Sequence, residues 1–260
     1  MPNNTLLEVK DLKMYFENKK GFLGKKIEYV KAVDGVSFKI QKGETIGLVG
    51  ESGCGKSTFG RTVIHLYEPT SGTVTFDGMK VDKSMSRKQA HELTGRMQMI
   101  FQDPYSSLNP AWTIGRILRE PLLLSGIRER KKLDKMVSDM LCKVGLDESY
   151  AYRHPSQLSG GQRQRISIAA ALIACPKLVI ADEPLSALDV TIQSQIMQLL
   201  IELKREMGLT YIFISHDIDV VYQLCDRIMV MKDGRVVEIG DTREIFDNPR
   251  EAYTRQLIEA

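Results

Sequence analysis

Apolar and polar positions along the chain predict a protein that combines strands and helices. Strand-length apolar or alternating runs cover residues 6–16, 30–40, 45–49, 73–76, 97–101, 178–181 and 211–214. Helical spacing of apolar residues covers 59–66, 114–124, 131–144, 159–174 and 190–207. Asp233-Gly234 lies inside the run 227–239 and predicts a hairpin there. The runs 178–181 and 211–214 are continuously apolar, which is typical of parallel strands buried on both faces.

Two stretches depart from this alternation of strands and helices. Residues 17–26 are rich in Lys and Gly and predict a solvated loop, with a loop near a bound nucleotide as the alternative. Residues 104–155 contain no convincing strand and predict a helical insertion. A short helix near residues 242–246 and a tail over 253–260 complete the chain.

Composition and charge narrow the class of protein. The 36 basic and 33 acidic side chains leave a net charge of +3, too small to indicate nucleic-acid binding. The four cysteines are scattered without a C-x-x-C pair, which argues against a disulfide framework or a zinc site and fits a reducing cytoplasm. The N-terminus does not resemble a signal peptide. The most apolar helical stretch, 166–175, is half of the roughly 20 residues that span a bilayer, so we expect no membrane crossing.

A glycine-rich turn follows the strand over residues 45–49 and precedes a helix. It has the form G-x-x-x-x-G-K-S, the phosphate-binding loop (P-loop) of nucleoside triphosphatases. Its glycines and the helix N-terminus direct backbone N–H groups at phosphate oxygens. Lys56 supplies a charge for the β- and γ-phosphates, and Ser57 a hydroxyl for Mg²⁺. The predicted nucleotide-binding residues in this loop are Gly50, Ser52, Gly53, Cys54, Gly55, Lys56, Ser57 and Thr58.

Three apolar strands end in polar side chains: Gln102, the pair Asp182-Glu183, and His216. Ligands of open parallel sheets bind beyond the carboxyl ends of the strands, where the P-loop also lies. Asp182 can hold Mg²⁺, with Gln102 reaching the metal or the attacking water. Glu183 can polarise that water, and His216 can contact the γ-phosphate. Taken singly, such an acid is often a turn or cap residue and such a histidine a structural one. Two adjacent acids beside a P-loop favour the catalytic interpretation.

Ser159-Gly160-Gly161-Gln162 opens the helix over residues 159–174. A serine cap followed by two glycines is either an ordinary helix start or a second anion site. One ATP does not need two such helix starts from the same chain.

Taken together, these motifs resemble the nucleotide-binding subunit of an ATP-binding cassette (ABC) transporter over nearly the whole chain. Residues 50–58 match the Walker A motif, Gln102 matches the Q-loop, and residues 158–162 match the signature. Residues 178–182 match the Walker B motif, residues 186–189, which include Asp189, match the D-loop, and His216 matches the switch histidine. Glu183 stands in the place of the catalytic glutamate. The implied fold is α/β: a P-loop NTPase core with a RecA-like parallel sheet, an antiparallel β subdomain and a helical signature subdomain.

The expected boundaries follow from this match. Residues 1–102 form the antiparallel β subdomain and the first part of the P-loop core, and 103–160 the helical signature subdomain. Residues 161–240 form the second part of the core, and 241–260 a C-terminal helical tail.

The resemblance implies a head-to-tail dimer that sandwiches two ATP molecules with Mg²⁺. Ser159, Gly160, Gly161 and Gln162 would then face the nucleotide of the partner's P-loop. The family stacks adenine on an aromatic residue upstream of Walker A, which points to Phe16, with Tyr15 and Tyr29 as alternatives. Residues after Gln102, including Tyr105, Leu108, Trp112 and Ile114, are candidates for the groove that receives a membrane subunit, or are plain subdomain core.

Residues 101–110 and 154–195 are similar to the oligopeptide, dipeptide and nickel importer branch, and residues 252–257 to its C-terminal region. This implies an ATPase that energises uptake of oligopeptides or dipeptides, or alternatively of nickel or a metal chelate. The implied partners are a second ATPase chain that is related but distinct, two membrane permeases and an extracytoplasmic solute-binding protein. The expected location is peripheral, on the cytoplasmic face of the membrane. Many members are longer, some with a cysteine-rich segment for an iron–sulfur cluster, but the cysteines here are not clustered and predict no such cluster.

Three other classes share this ATPase head. DNA-repair and chromosome-structure ATPases insert long coiled coils between Walker A and the signature, and here about 100 residues without heptads intervene. Translation-associated proteins normally join two cassettes in one chain. An exporter half is the third alternative, and the free-standing cassette with residues 101–110 favours import.

Overall fold

The computed structural model describes residues 4–20, 26–186 and 188–259, apart from the side chains of residues 19, 20, 26 and 27. It divides into two compact units. The first unit comprises residues 1–85 and 212–260, and the second unit residues 86–211. The predicted four-part division of the chain remains a prediction.

The first unit contains an antiparallel sheet and a P-loop layer. Its strands are β1 (Thr5–Lys20), β2 (Lys26–Gln41), β3 (Thr45–Val49), β4 (Ser71–Phe76), β5 (Met79–Lys80), β9 (Arg227–Lys232) and β10 (Arg235–Asp241), with β8 (Thr210–Ile214) at the unit boundary. Its helices are α1 (Lys56–Val63), α8 (Ile218–Leu224), α9 (Thr242–Asp247) and α10 (Ala252–Glu259).

The strands of the first unit pair in two ways. β2, β1, β4 and β5 form an antiparallel sheet in that order. β3 lies parallel to β9, which pairs antiparallel with β10 through the predicted Asp233-Gly234 hairpin. Every residue of β3 and β8 is buried, as continuously apolar runs predict.

The predicted loop over residues 17–26 is wrong at both ends. β1 continues to Lys20 and β2 begins at Lys26, with Glu17 opposite Tyr29 and Asn18 opposite Glu28. Polar residues extend these strands because a two-stranded ribbon needs only backbone pairing and no buried face. Residues 21–25 of the predicted loop lie outside the described part of the chain.

The second unit is mostly helical. It holds two parallel strands, β6 (Met97–Ile100) and β7 (Leu178–Asp182), with Met97 opposite Leu178. Its helices are α2 (Arg87–Arg96), α3 (Pro104–Ser107), α4 (Ile114–Leu124), α5 (Arg130–Lys143), α6 (Gly160–Leu172) and α7 (Val190–Met207), with 3₁₀ turns at Glu148–Tyr152 and Pro155–Gln157. The predicted absence of strands over residues 104–155 holds throughout that described segment.

Two of the candidate groove residues belong to the core of the second unit. Leu108 and Ile114 are 3% and 0% exposed, so their alternative interpretation as subdomain core is correct. Tyr105 is 64% exposed, and the guanidinium of Arg163 lies 3.8 Å from its ring centroid.

Candidate functional site

The P-loop joins β3 to α1 in the first unit. Gly53 and Gly55 have φ angles of 84° and 108°, which glycine adopts without strain from a side chain. α1 starts at Lys56 with Gly55 as its N-cap. The sharp reversal therefore directs the N-terminus of α1, with its first backbone N–H groups, toward the space inside the loop.

Lys56 is held inside this loop. Its side chain is only 4% exposed, and its Nζ donates hydrogen bonds to the carbonyl oxygens of Gly50 at 2.7 Å and Glu51 at 2.9 Å. These carbonyl oxygens accept hydrogen bonds from the ammonium but carry no net charge, so they do not neutralise it. The ammonium charge is therefore available to an anion bound in the loop.

The other loop residues differ in exposure. Ser57 and Thr58 are half-buried in the first turn of α1, and Ser52 is exposed at the tip of the loop. Cys54 is 8% exposed. Burial raises the pKa of the Cys54 thiol, an effect that the nearby Lys56 ammonium opposes. The small Cys54 side chain thus occupies a buried position within the loop.

His216 follows β8 at the same edge of the first unit as the P-loop. The N–H of Ser215 donates to the carbonyl oxygen of Leu48 at 3.2 Å, so the carboxyl ends of β8 and β3 lie side by side. His216 is exposed, and the next residue, Asp217, caps α8 by accepting from Asp219 N–H. This is the arrangement that the polar strand ends predict.

The adenine candidates lie on the β1–β2 ribbon. Phe16 is 37% exposed and meets Tyr67 edge-to-face, with ring centroids 5.6 Å apart. The hydroxyl of Tyr15 donates to Asp34, and this hydrogen bond raises the pKa of the Tyr15 phenol. Tyr29 is 58% exposed. Phe16 and Tyr29 thus offer more open rings than Tyr15.

The carboxylates lie at the end of β7 in the second unit. Asp182 is fully buried. Glu183 is half-buried and has a φ of 47°, an uncommon backbone conformation that often marks functional positions. Nε2 of Gln102 donates to Oε2 of Glu183 at 3.1 Å. The structure thus brings together the polar side chains that follow β6 and β7, because these two strands lie side by side and parallel.

The signature forms the start of α6 as a reciprocal cap. Oγ of Ser159 accepts from Gln162 N–H at 3.3 Å, and Oε1 of Gln162 accepts from Ser159 N–H at 3.0 Å. Nε2 of Gln162 donates to the hydroxyl oxygen of Tyr150 at 3.0 Å. A Cβ on Gly161 would lie 2.7 Å from Cγ2 of Ile192 on α7, so this glycine also permits helix packing. Gly160 is less crowded, since a Cβ there would lie 4.0 Å from Cδ2 of Leu188.

Asp189 caps α7, because its Oδ1 accepts from Ile192 N–H at 3.0 Å. Its side chain is exposed. Ala187, in the middle of the D-loop, lies outside the described residues.

Sequence reasoning missed three side chains that contact these motifs. Tyr150 supports Gln162, Arg163 donates to the carbonyl oxygen of Pro155 at 2.6 Å just before the signature, and Tyr253 contacts the P-loop. For Tyr150 and Arg163 the sequence carries no signal, because the contacts depend on how helices pack. For Tyr253 the only signal is the branch-like C-terminal stretch 252–257.

The loop with its buried lysine, the paired Gln102 and Glu183, and the capped signature define a P-loop ATPase of the cassette class. The family profile described as "ABC transporter" matches residues 33–186, and the chain belongs to this family. ATP-binding subunits of its importers are membrane-associated ATPases that work with membrane permeases. Among the described residues, no helix is long and apolar enough to cross a bilayer.

Curated relatives match almost the full chain. The oligopeptide transport ATP-binding protein OppF of Bacillus subtilis (strain 168) is 51% identical over 257 residues, which cover 98% of this chain and 82% of that protein. The dipeptide transport ATP-binding protein DppF of Escherichia coli (strain K12) is 45% identical over 256 residues, which cover 98% of this chain and 76% of that protein.

Solved structures share the fold. The structure of cbiO1 from Clostridium perfringens superposes with a TM-score of 0.79 at 31% identity, covering 95% of this chain and 92% of that one. The dimeric structure of the ATP-binding cassette MJ0796 bound to ADP and Pi superposes with a TM-score of 0.78 at 32% identity. The match covers 92% of this chain and 99% of that one. These likenesses confirm the predicted fold class, an α/β ATPase with parallel and antiparallel sheets.

Proposed function

We propose that this chain is the ATP-hydrolysing subunit that energises uptake of oligopeptides or dipeptides across the cytoplasmic membrane. The hydrogen bond between Gln102 and Glu183, beside the buried Asp182, carries the hydrolytic part of the proposal. It places an amide and a carboxylate together after parallel strands, where a water could be oriented and polarised. The names of the relatives support the cargo.

In the nucleotide site, Lys56 and the backbone N–H groups of residues 52–58 bind the phosphates, and Phe16 stacks on adenine. The oxygens of Ser57, Gln102 and Asp182 are hard donors of the kind that Mg²⁺ prefers, which makes each of them a candidate ligand for the ion. When bound, Mg²⁺ neutralises charge on the phosphates. Glu183 accepts a proton from the attacking water, and His216 donates a hydrogen bond to the γ-phosphate.

The signature acts on a different nucleotide from the one bound by its own P-loop. Ser159 and Gly161 at the start of α6 bind the γ-phosphate held by a partner chain, and Asp189 lies beside the dimer contact. ATP then closes the dimer because it contacts both chains only in the closed state. Its binding therefore shifts the population of dimers from open to closed. The partner is a second, related ATPase chain. Two permeases and an extracytoplasmic solute-binding protein complete the importer, with the ATPases on the cytoplasmic face.

The test is Glu183→Gln in the full-length chain. We expect ATP binding to persist and hydrolysis to fall by about two to four orders of magnitude, the usual contribution of a general base. A phosphate-release assay measures turnover, and size-exclusion chromatography with MgATP, with and without the partner ATPase, measures the trapped dimer. Glu120→Gln is the matched control, because Glu120 is exposed on α4. Near-normal turnover in Glu183→Gln would refute the assignment of the base.

The same variant tests the cargo in cells. Cells that carry Glu183→Gln at the native locus should lose most uptake of a labelled oligopeptide or dipeptide and retain nickel uptake. Loss of nickel uptake with intact peptide uptake would instead assign the chain to a metal or metal-chelate importer. If the cells retained both peptide uptake and nickel uptake, the result would argue for a non-transport ATPase, such as one acting in DNA repair or translation.

A further inference from the structure

Tyr253 connects the C-terminal helix to the P-loop within the first unit. It lies in the first turn of α10 and is 8% exposed. Its hydroxyl oxygen accepts a hydrogen bond from the backbone N–H of Glu51 at 3.1 Å. Glu51 is the second residue of the P-loop, so a tail helix about 200 residues away in sequence touches the start of the nucleotide site.

The peptide unit that Tyr253 contacts is also the one that holds Lys56. The N–H of Glu51 and the carbonyl of Gly50 belong to one planar, trans peptide group, so they point in opposite directions. Tyr253 engages the N–H on one side, and Nζ of Lys56 donates to the Gly50 oxygen on the other at 2.7 Å. A rotation of this peptide would therefore move the acceptor away from the Lys56 ammonium.

The tyrosine is itself held in place. The ammonium of Lys232 on β9 lies 4.6 Å from the centroid of its ring. The two residues just before α10 are anchored, because the carboxylate of Glu238 accepts from the N–H groups of Arg250 at 2.9 Å and Glu251 at 3.2 Å. Contacts from β9 and β10 thus hold the start of α10, and with it the Tyr253 hydroxyl, in place beside the P-loop.

We propose that Tyr253 is a positioning residue for Lys56. It orients the Gly50–Glu51 peptide so that its carbonyl holds the ammonium where phosphate oxygens bind. This inference rests on the proposed role of the P-loop in binding ATP. It assigns the C-terminal helix a part in the nucleotide site that goes beyond packing.

Tyr253→Phe removes the acceptor and retains the ring and its packing. We expect ATP affinity to fall roughly threefold to tenfold, because one net hydrogen bond changes an equilibrium by about that factor. Titration with a fluorescent ATP analogue measures the affinity, and thermal unfolding checks that the fold is retained. Tyr222→Phe is the matched control, since Tyr222 is 45% exposed on α8 in the same unit and should leave affinity unchanged.

A double-mutant cycle with Lys56→Ala separates positioning from a general structural effect. In the Lys56→Ala background, Tyr253→Phe should produce no further loss of affinity. An equal loss in both backgrounds, or wild-type affinity for Tyr253→Phe, would overturn the proposal. Wild-type affinity for Lys56→Ala alone would instead refute the proposed role of the P-loop, so the two failures are distinguishable.

Discussion

At the residue scale, the four cysteines, none of which forms a disulfide, differ in environment. Cys54 and Cys225 are buried, and Cys142 and Cys175 are exposed. In sequence they are equivalent scattered residues. Burial both blocks access to Cys54 and raises the pKa of its thiol, so little of it is thiolate at neutral pH.

This difference predicts the order of alkylation. At pH 7.5, iodoacetamide should modify Cys142 and Cys175 at least about tenfold faster than Cys54, because the thiolate is the reactive form. Peptide mass spectrometry over a time course measures each rate. Urea should abolish the difference, since unfolding exposes all four thiols. Modification of Cys54 at the rate of Cys142 in the folded protein would contradict the buried placement.

At the element scale, two helices of the second unit begin with the same reciprocal cap. Ser86 and Gln89 cap α2 as Ser159 and Gln162 cap α6. The local hydrogen bonds are alike, with Gln89 N–H to Ser86 Oγ also at 3.3 Å. Only the signature cap is followed by two glycines, and only that cap is proposed to face a partner's nucleotide.

Ser86→Ala and Ser159→Ala should therefore have the same effect on stability and different effects on function. Each should lower the free energy of unfolding by about 1 kcal/mol, the usual value of a serine N-cap. Only Ser159→Ala should also reduce the ATPase rate of the assembled dimer. Chemical denaturation and a phosphate-release assay measure the two effects. Equal ATPase losses would mean that the signature serine acts only as a cap.

At the scale of the whole chain, segments far apart in sequence meet at the P-loop. A Cβ on Gly55 would lie 1.9 Å from the carbonyl oxygen of Ala32 on β2, and one on Gly50 would lie 2.2 Å from the carbonyl oxygen of Met231 on β9. The N–H of Gly234 donates to the Cys54 oxygen at 2.9 Å. Among the described residues, no atom would lie within 4 Å of a Cβ on Gly53. Glycines of one motif are thus required for different reasons.

Alanine substitutions at Gly53 and at Gly55 test that distinction. Gly53→Ala should cost about 1–3 kcal/mol of stability, because its positive φ strains a side chain. Gly55→Ala should cost about 1–3 kcal/mol more, because the new methyl group also overlaps the backbone of β2. Equilibrium unfolding of the nucleotide-free chain measures both. Equal losses would show that only the φ angle matters.

Much of the fold could be predicted because its elements are coded locally. α7 has the predicted bounds 190–207, and α4 the predicted 114–124. α2 and α8 were missed, because α2 is polar nearly all round and α8 has only seven residues. The candidate site residues were all available as motifs, since glycine turns and polar strand ends are short-range signals. Most of their assigned roles remain predictions.

By itself, the sequence determined the P-loop, the polar ends of buried strands, the capped signature and the family that these define. Each is a local pattern whose chemistry depends on residue type and spacing. Only the tertiary structure decided that Gln102 meets Glu183, that Tyr150 supports Gln162, and that Leu108 is core. It also placed Tyr253 against the peptide that holds Lys56. These contacts join residues on different elements, and their formation depends on packing that no single stretch encodes.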